Sequence, residues 1–105
     1  MEKLKLFVVL LGGYNTGDMI ESHNLFIGVS HDLKSLLTHM KKSWPGATHI
    51  DGYMILNHVD GYDIEIKEEI PADTVYPMLV IANIGFYQEG KFAEFHNLIP
   101  LVLTN

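Results

Sequence analysis

Apolar residues fall along this chain in runs and periods that predict most of its elements. Residues 4–11, LKLFVVLL, form an apolar run with β-branched members, which predicts a strand buried on both faces. Gly12-Gly13 breaks the run, Tyr14–Asn24 reads as a polar loop, and Leu25–Val29 predicts a second short strand. Leu33, Leu36, Leu37, Met40 and Trp44 then fall at i, i+3, i+4, i+7 and i+11, a single apolar stripe. This predicts an amphipathic helix over about residues 31–43, with Ser30 as N-cap, Asp32 in the first turn and Trp44-Pro45-Gly46 as the stop. A β-hairpin is expected over about residues 49–67, where HIDGYMILNHV and YDIEIK flank Asp60-Gly61, the dipeptide of a type I′ turn. In that register Val59 faces Tyr62, Asn57 faces Ile64 and Ile55 faces Ile66. Residues 68–76 connect it to Met78–Ile84, a second run apolar on both faces. Gly85, a polar loop and a strand over 98–103 follow, with Pro100 marking that strand as an edge.

Two of these stretches are nearly the same phrase, ESHNL at 21–25 and EFHNL at 94–98. Residues 4–30 laid over 77–103, an offset of 73, match at Leu6/Leu79, Gly12/Gly85, Tyr14/Tyr87, Gly17/Gly90, Glu21/Glu94, His23/His96, Asn24/Asn97, Leu25/Leu98 and Val29/Val102. Composition alone would give about two such identities, so an internal duplication of a strand–loop–strand unit (4–30 and 77–103) is expected. The fold class expected is α+β: a mixed or antiparallel sheet with one amphipathic helix, this duplication and the hairpin, in one domain over residues 1–105. The second unit stops at Asn105, where the first begins its helix. One helix covers part of one sheet face, whereas both apolar strands need cover above and below. A homodimer is therefore expected, packing sheet on sheet or exchanging the C-terminal strand.

Composition narrows the partners. Seven basic residues against 13 acidic ones give a formal charge of −6, and Lys41-Lys42 is the basic cluster. Nucleic acid and an anionic membrane surface are thus not expected partners. The absence of cysteine excludes disulfides, thiolate metal sites and a cysteine nucleophile. MEKLKLFVVLLGG superficially resembles a signal peptide, yet the run Leu6–Leu11 is short and GGYN is no small-x-small cleavage site. A strand and a cytoplasmic location are expected instead.

Glu21/His23 and Glu94/His96 are the leading candidates for a ligand or metal site. Residues two apart in an extended segment share a face. Each pair could place a carboxylate against an imidazole for proton transfer, or supply two metal ligands. Brought together, the four would make an N₂O₂ set suited to zinc or another divalent ion. The alternative is that Glu and His brace the loop by bonding each other and the backbone, with Asn24 and Asn97 serving the same loops. His49 and Asp51 repeat the spacing and are accessory candidates. Tyr14 and Tyr87, on equivalent loops, could line a cleft or cover the core edge. His58 is expected to pair with Asp63 across the hairpin, and His31 and His39 to be solvated. GGYNTG lacks the Gly-Lys-Ser/Thr ending and following helix of a phosphate loop.

The order LGG, E-x-H-N, a helix ending in WP, HID, VDGY-x-I-E-I, G-x-Y and EFH resembles a family of small bacterial proteins catalogued as a domain of unknown function. The resemblance spans nearly the whole chain and implies a soluble α+β protein without an assigned reaction. The function expected is a homodimeric binding or accessory domain with no catalytic residues and no obligatory cofactor, its small-molecule or protein partner unspecified. The alternative is a metal-dependent or acid–base enzyme built on the duplicated Glu-x-His pairs.

Overall fold

Strand β1 (Lys5–Gly13) lies at the centre of a three-stranded antiparallel sheet, between β2 (Ser22–Ser30) and β3 (Ala47–Leu56). The computed structural model describes residues 3–68, 76–87, 90 and 94–105, with the side chains of Thr48 and Tyr87 outside that description. The run LFVVLL needs apolar neighbours on both faces, and it has them. Phe7, Val9 and Leu11 face Leu36, Met40, Trp44 and Ala47 on one side. On the other, Val8 packs with Leu56 and Val59 against Leu79, Ile81, Leu98 and Val102. Val8 and Val9 are fully buried.

Those last four residues belong to β6 (Met78–Tyr87) and β7 (Glu94–Leu103), an antiparallel pair. The chain therefore covers both faces of β1 itself, and the argument that a second subunit must shield this strand falls. The two long hairpins pair in the same register at an offset of 73. Lys5↔Ser30 corresponds to Met78↔Leu103, and Gly12↔His23 to Gly85↔His96.

The α+β expectation is corrected: the described residues are mostly strand, and the helix is short. Expected over 31–43, it is a 3₁₀ turn at Lys34–Leu36 leading into α1 (Leu37–Ser43). Ser30 does not cap it, because Ser30 pairs with Lys5 as the last residue of β2. Asp32 closes the turn instead, accepting from Ser35 N–H at 2.8 Å and Ser35 Oγ at 2.7 Å. Of the predicted stripe, Leu36, Met40 and Trp44 are buried while Leu37 is exposed. Trp44 satisfies its indole N–H on Asn15 Oδ1 at 2.8 Å, tying the helix end to the β1–β2 loop.

The hairpin over 49–67 is corrected too. Asp60 (φ 53°) and Gly61 (φ 83°) take the left-handed conformations of a type I′ turn. Val59 faces Tyr62 and His58 faces Asp63 in the two-residue strands β4 (His58–Val59) and β5 (Tyr62–Asp63). Beyond Ile64, whose N–H donates to Asn57 O, the ladder ends. Ile55 pairs with Phe7, not Ile66, because β3 spends its hydrogen bonds on β1. The turn tip reaches the second hairpin, where Asp60 Oδ2 accepts from Val102 N–H at 2.7 Å. Residues 69–75 of the expected connector, and 88–89 and 91–93 of the second loop, lie outside the described residues.

Candidate functional site

At one end of the seam between the hairpins, the apolar packing gives way to a polar cluster. Register puts it there. Gly12 pairs with His23 on one side and with His49 on the other, and directly paired residues project from the same face. The β1–β3 register shifts between Leu10↔Gly52 and Leu11↔Ile50, leaving Asp51 as an extra residue. A bulge of this kind re-aims side chains, and here it directs Asp51 toward the same point. Gly12 leaves the room: a Cβ there would lie 2.6 Å from His49 Nε2, 2.7 Å from Asp51 Oδ2 and 3.0 Å from Glu21 Oε1. The second hairpin repeats the device, since a Cβ on Gly85 would lie 2.8 Å from the His96 ring.

The six side chains form two sets that share His23. In the outer set, His23 Nε2 lies 2.6 Å from Asp51 Oδ2 and 3.2 Å from Glu21 Oε1. His49 Nε2 lies 2.7 Å from Asp51 Oδ1 and 3.2 Å from Glu21 Oε2. In the inner set, His23 Nδ1 faces Glu94 Oε1 at 3.8 Å, and His96 Nε2 contacts that same oxygen. The imidazoles of His23 and His96 stand 5.2 Å apart. The side chains of His23, His96 and Glu94 are 11–12 % exposed, against 27 % for Glu21 and 45 % for His49.

Proton positions follow from the partners. Asn83 Oδ1 sits 2.7 Å from His96 Nδ1. Carbonyl and carboxylate oxygens both accept, so the His96 ring stands between two acceptors, Asn83 at Nδ1 and Glu94 at Nε2. His23 Nε2, between two carboxylates, carries the ring proton. Its Nδ1 is buried without a hydrogen-bond partner and points at Glu94. Nitrogens of two imidazoles thus face one carboxylate oxygen, and the buried, unpartnered His23 Nδ1 is a desolvated lone pair that a cation there would satisfy.

All four leading candidates, Glu21, His23, Glu94 and His96, meet in this cluster, and His49 and Asp51 join them. The strands begin at Ser22 and Glu94, so Glu94 and His96 share a face in extended backbone. Asn24 and Asn97 do not take part: each is exposed and follows its histidine in a strand, projecting from the opposite face. Tyr14 is exposed on its loop, and the side chain of Tyr87 lies outside the described residues. Sequence reasoning missed Asn83. Its signal was available as a lone amide inside VIANIG, where the first unit has Leu10.

The folded chain is a stack of antiparallel β-hairpins with a histidine–carboxylate cluster in the seam. Residues 18–66 match the family model described as Domain of Unknown Function (DUF1543), in keeping with the resemblance read from the sequence. The matched segment contains Glu21, His23, His49 and Asp51. No curated protein and no solved structure matches the chain. Among the described residues no helix is long and apolar enough to cross a membrane.

Proposed function

We propose that this protein binds a divalent transition-metal ion in the seam between its hairpins, with His23 Nδ1, His96 Nε2 and a Glu94 oxygen as ligands. One observation carries the reading: two imidazole nitrogens face a single carboxylate oxygen, and one of them, His23 Nδ1, is buried with no hydrogen-bond partner. Donors about 2.1 Å from a tetrahedral ion stand about 3.4 Å apart. The 3.8 Å between His23 Nδ1 and Glu94 Oε1 closes to that value with a small rotation. Two nitrogens and one oxygen favour zinc over magnesium or calcium, which prefer all-oxygen shells. The surrounding bonds suit ligand roles: with an ion on Nε2, His96 would keep its proton on Nδ1 for Asn83, and Asp51 with Glu21 would hold the proton of His23 on Nε2. Three protein ligands leave a fourth position for water or an external donor, the pattern of a zinc site that binds or activates a small molecule. Metal-dependent binding is therefore the activity put forward, and hydrolytic chemistry is its extension if the fourth ligand is a reactive water.

Untagged protein, stripped with chelator and titrated with zinc in a calorimeter, tests this. The expected result is a saturable tight-binding step that is lost in His96→Ala while circular dichroism shows an intact fold. The competing reading is a clasp in which the cluster only pins the hairpins together, favoured by the bond between His96 and Asn83. Under the clasp reading wild-type protein takes up no zinc, and His96→Ala lowers stability alone.

A further inference from the structure

We infer that the seam holds two metal ions, bridged by the imidazole of His23. This rests on the proposed single-ion site and extends it to the outer set. His23 is the only side chain common to the two groups of potential ligands, one with Glu94 and His96 and the other with Glu21 and Asp51. Its two nitrogens serve opposite sides, Nδ1 toward Glu94 and Nε2 toward Asp51 and Glu21. On the outer side, His49 Nε2 adds a second nitrogen within 3.2 Å of both carboxylates.

The outer donors already stand 2.6–3.2 Å from one another across each nitrogen–oxygen contact. Those are the separations of hydrogen bonds, slightly closer than donors around a zinc ion. An ion entering there replaces the protons that now sit between nitrogen and carboxylate. For His23 that means its single ring proton leaves Nε2 for solvent and the ring becomes an imidazolate with a metal on each nitrogen. At His49 the Nε2 proton is likewise released to solvent and Nδ1 takes one up, so that ring stays neutral while Nε2 turns to the metal. The carboxylates of Glu21, Asp51 and Glu94 together with the imidazolate supply four negative charges, which two dications balance.

Burial orders the loading. The inner set is 11–12 % exposed, and the outer residues apart from the shared His23 are 27–45 % exposed, so the inner site fills first and the outer site, nearer solvent, fills second and more weakly. Gly12 and Gly85 are what make both sites possible, since a side chain at either position would stand among the donors.

The test uses copper(II) as the probe ion on the untagged, chelator-stripped full chain, read by equilibrium dialysis and electron paramagnetic resonance. Two equivalents are expected. The resonance should grow through the first equivalent and fall through the second, because an imidazolate bridge pairs the two copper spins. Asp51→Asn should keep one equivalent with a normal uncoupled signal, and His96→Ala should do the same from the other side. One equivalent in wild type, lost in His96→Ala and unaffected in Asp51→Asn, overturns the pair and leaves the single site standing. Two equivalents with undiminished resonance overturn the bridge. No bound copper overturns both readings.

Discussion

Gly12 and Gly13 are neighbours in β1, yet alanine at each should have opposite consequences. At Gly12 the added Cβ meets the tips of three side chains, with His49 Nε2 nearest at 2.6 Å. To reach an ordinary contact near 3.4 Å, that nitrogen must retreat by about 0.8 Å and Asp51 Oδ2 by about 0.7 Å. Side-chain ends can move this far, and replacing a strand glycine by alanine returns about 0.4–1 kcal/mol through the unfolded chain. Weakened contacts in the cluster cost about the same, so net stability should stay within about 1 kcal/mol of wild type. The metal would register the change, because the carboxylates that orient His23 have moved. Losses of such orienting groups lower metal affinity about 10–100-fold. At Gly13 the Cβ meets backbone, the Gly46 carbonyl oxygen at 2.1 Å and Ala47 Cα at 3.0 Å. That carbonyl lies in the Trp44–Ala47 turn, closed by Ala47 N–H donating to Trp44 O at 3.0 Å. Overlap of backbone with backbone has no rotamer to relieve it, and a loss of about 3 kcal/mol or more is expected. Urea unfolding gives both stabilities and zinc calorimetry gives both affinities. A Gly12→Ala protein as unstable as Gly13→Ala, or one that binds zinc as tightly as wild type, would refute the assignment of Gly12 to the cluster and Gly13 to the fold.

Three further outcomes follow from other contacts. Asp60→Gly keeps the left-handed turn but removes the acceptor for Val102 N–H; amide exchange at Val102 should accelerate and stability fall by about 1 kcal/mol, and unchanged exchange would show the bond to be idle. The Asp32 carboxyl is held below its ordinary value of 3.8, first by the Ser35 hydroxyl and then by the Ser35 N–H. A lowered value means its stabilisation is full above 3.8 and is lost as pH falls through the folded value; the gap in urea midpoint between wild type and Asp32→Ala should therefore narrow only in that acid window, and a gap constant with pH would refute the cap. For the expected homodimer we propose the outer face of β6–β7, where Ile84, Phe86, Ile99 and Leu103 are exposed, as the surface that a second copy of the same face would cover. Light scattering should then give twice the 11.9 kDa chain mass, returning to one in Phe86→Lys; a monomer in wild type at micromolar concentration ends the proposal.

Much of this arrangement was legible because period-two and apolar-run signals act locally. The Glu-x-His spacing implied a shared face wherever the backbone is extended, and β7 is extended from Glu94 onward. Asp60-Gly61 specified its own turn. The errors came where two local signals competed for one partner. Ile55 alternates correctly for pairing with Ile66, but β1 is apolar on both faces and takes a strand on each side, so β3 goes to Phe7 and its neighbours. Ser30 is a good N-cap by residue type, and pairing with Lys5 claimed it for β2, which moved the helix start to the turn that Asp32 closes.

The convergence of the site was hidden for a related reason. Nothing in ESHNL or EFHNL says which surface the second hairpin covers. The apolar residues decide it: Leu79, Ile81, Leu98 and Val102 bury themselves against the Val8 side of β1. Once they do, register leaves no freedom at the other end of the same faces. Gly85 and His96 lie four pairs beyond Ile81 and Pro100 along β6–β7, as Gly12 and His23 lie four pairs beyond Val8 and Ile27 along β1–β2, an even step that keeps the same face. The two glycine positions are thus carried toward one another with their histidines attached. The site is a consequence of the core, so a change such as Leu98→Ala, at a core residue that is not itself one of the six, should loosen the seam and weaken zinc binding along with stability. A loss of about 2–5 kcal/mol in folding free energy is expected for a truncation of this kind in a core, toward the lower end for a half-buried residue. Unchanged zinc affinity in a measurably destabilised Leu98→Ala protein would separate site from core and undo this coupling.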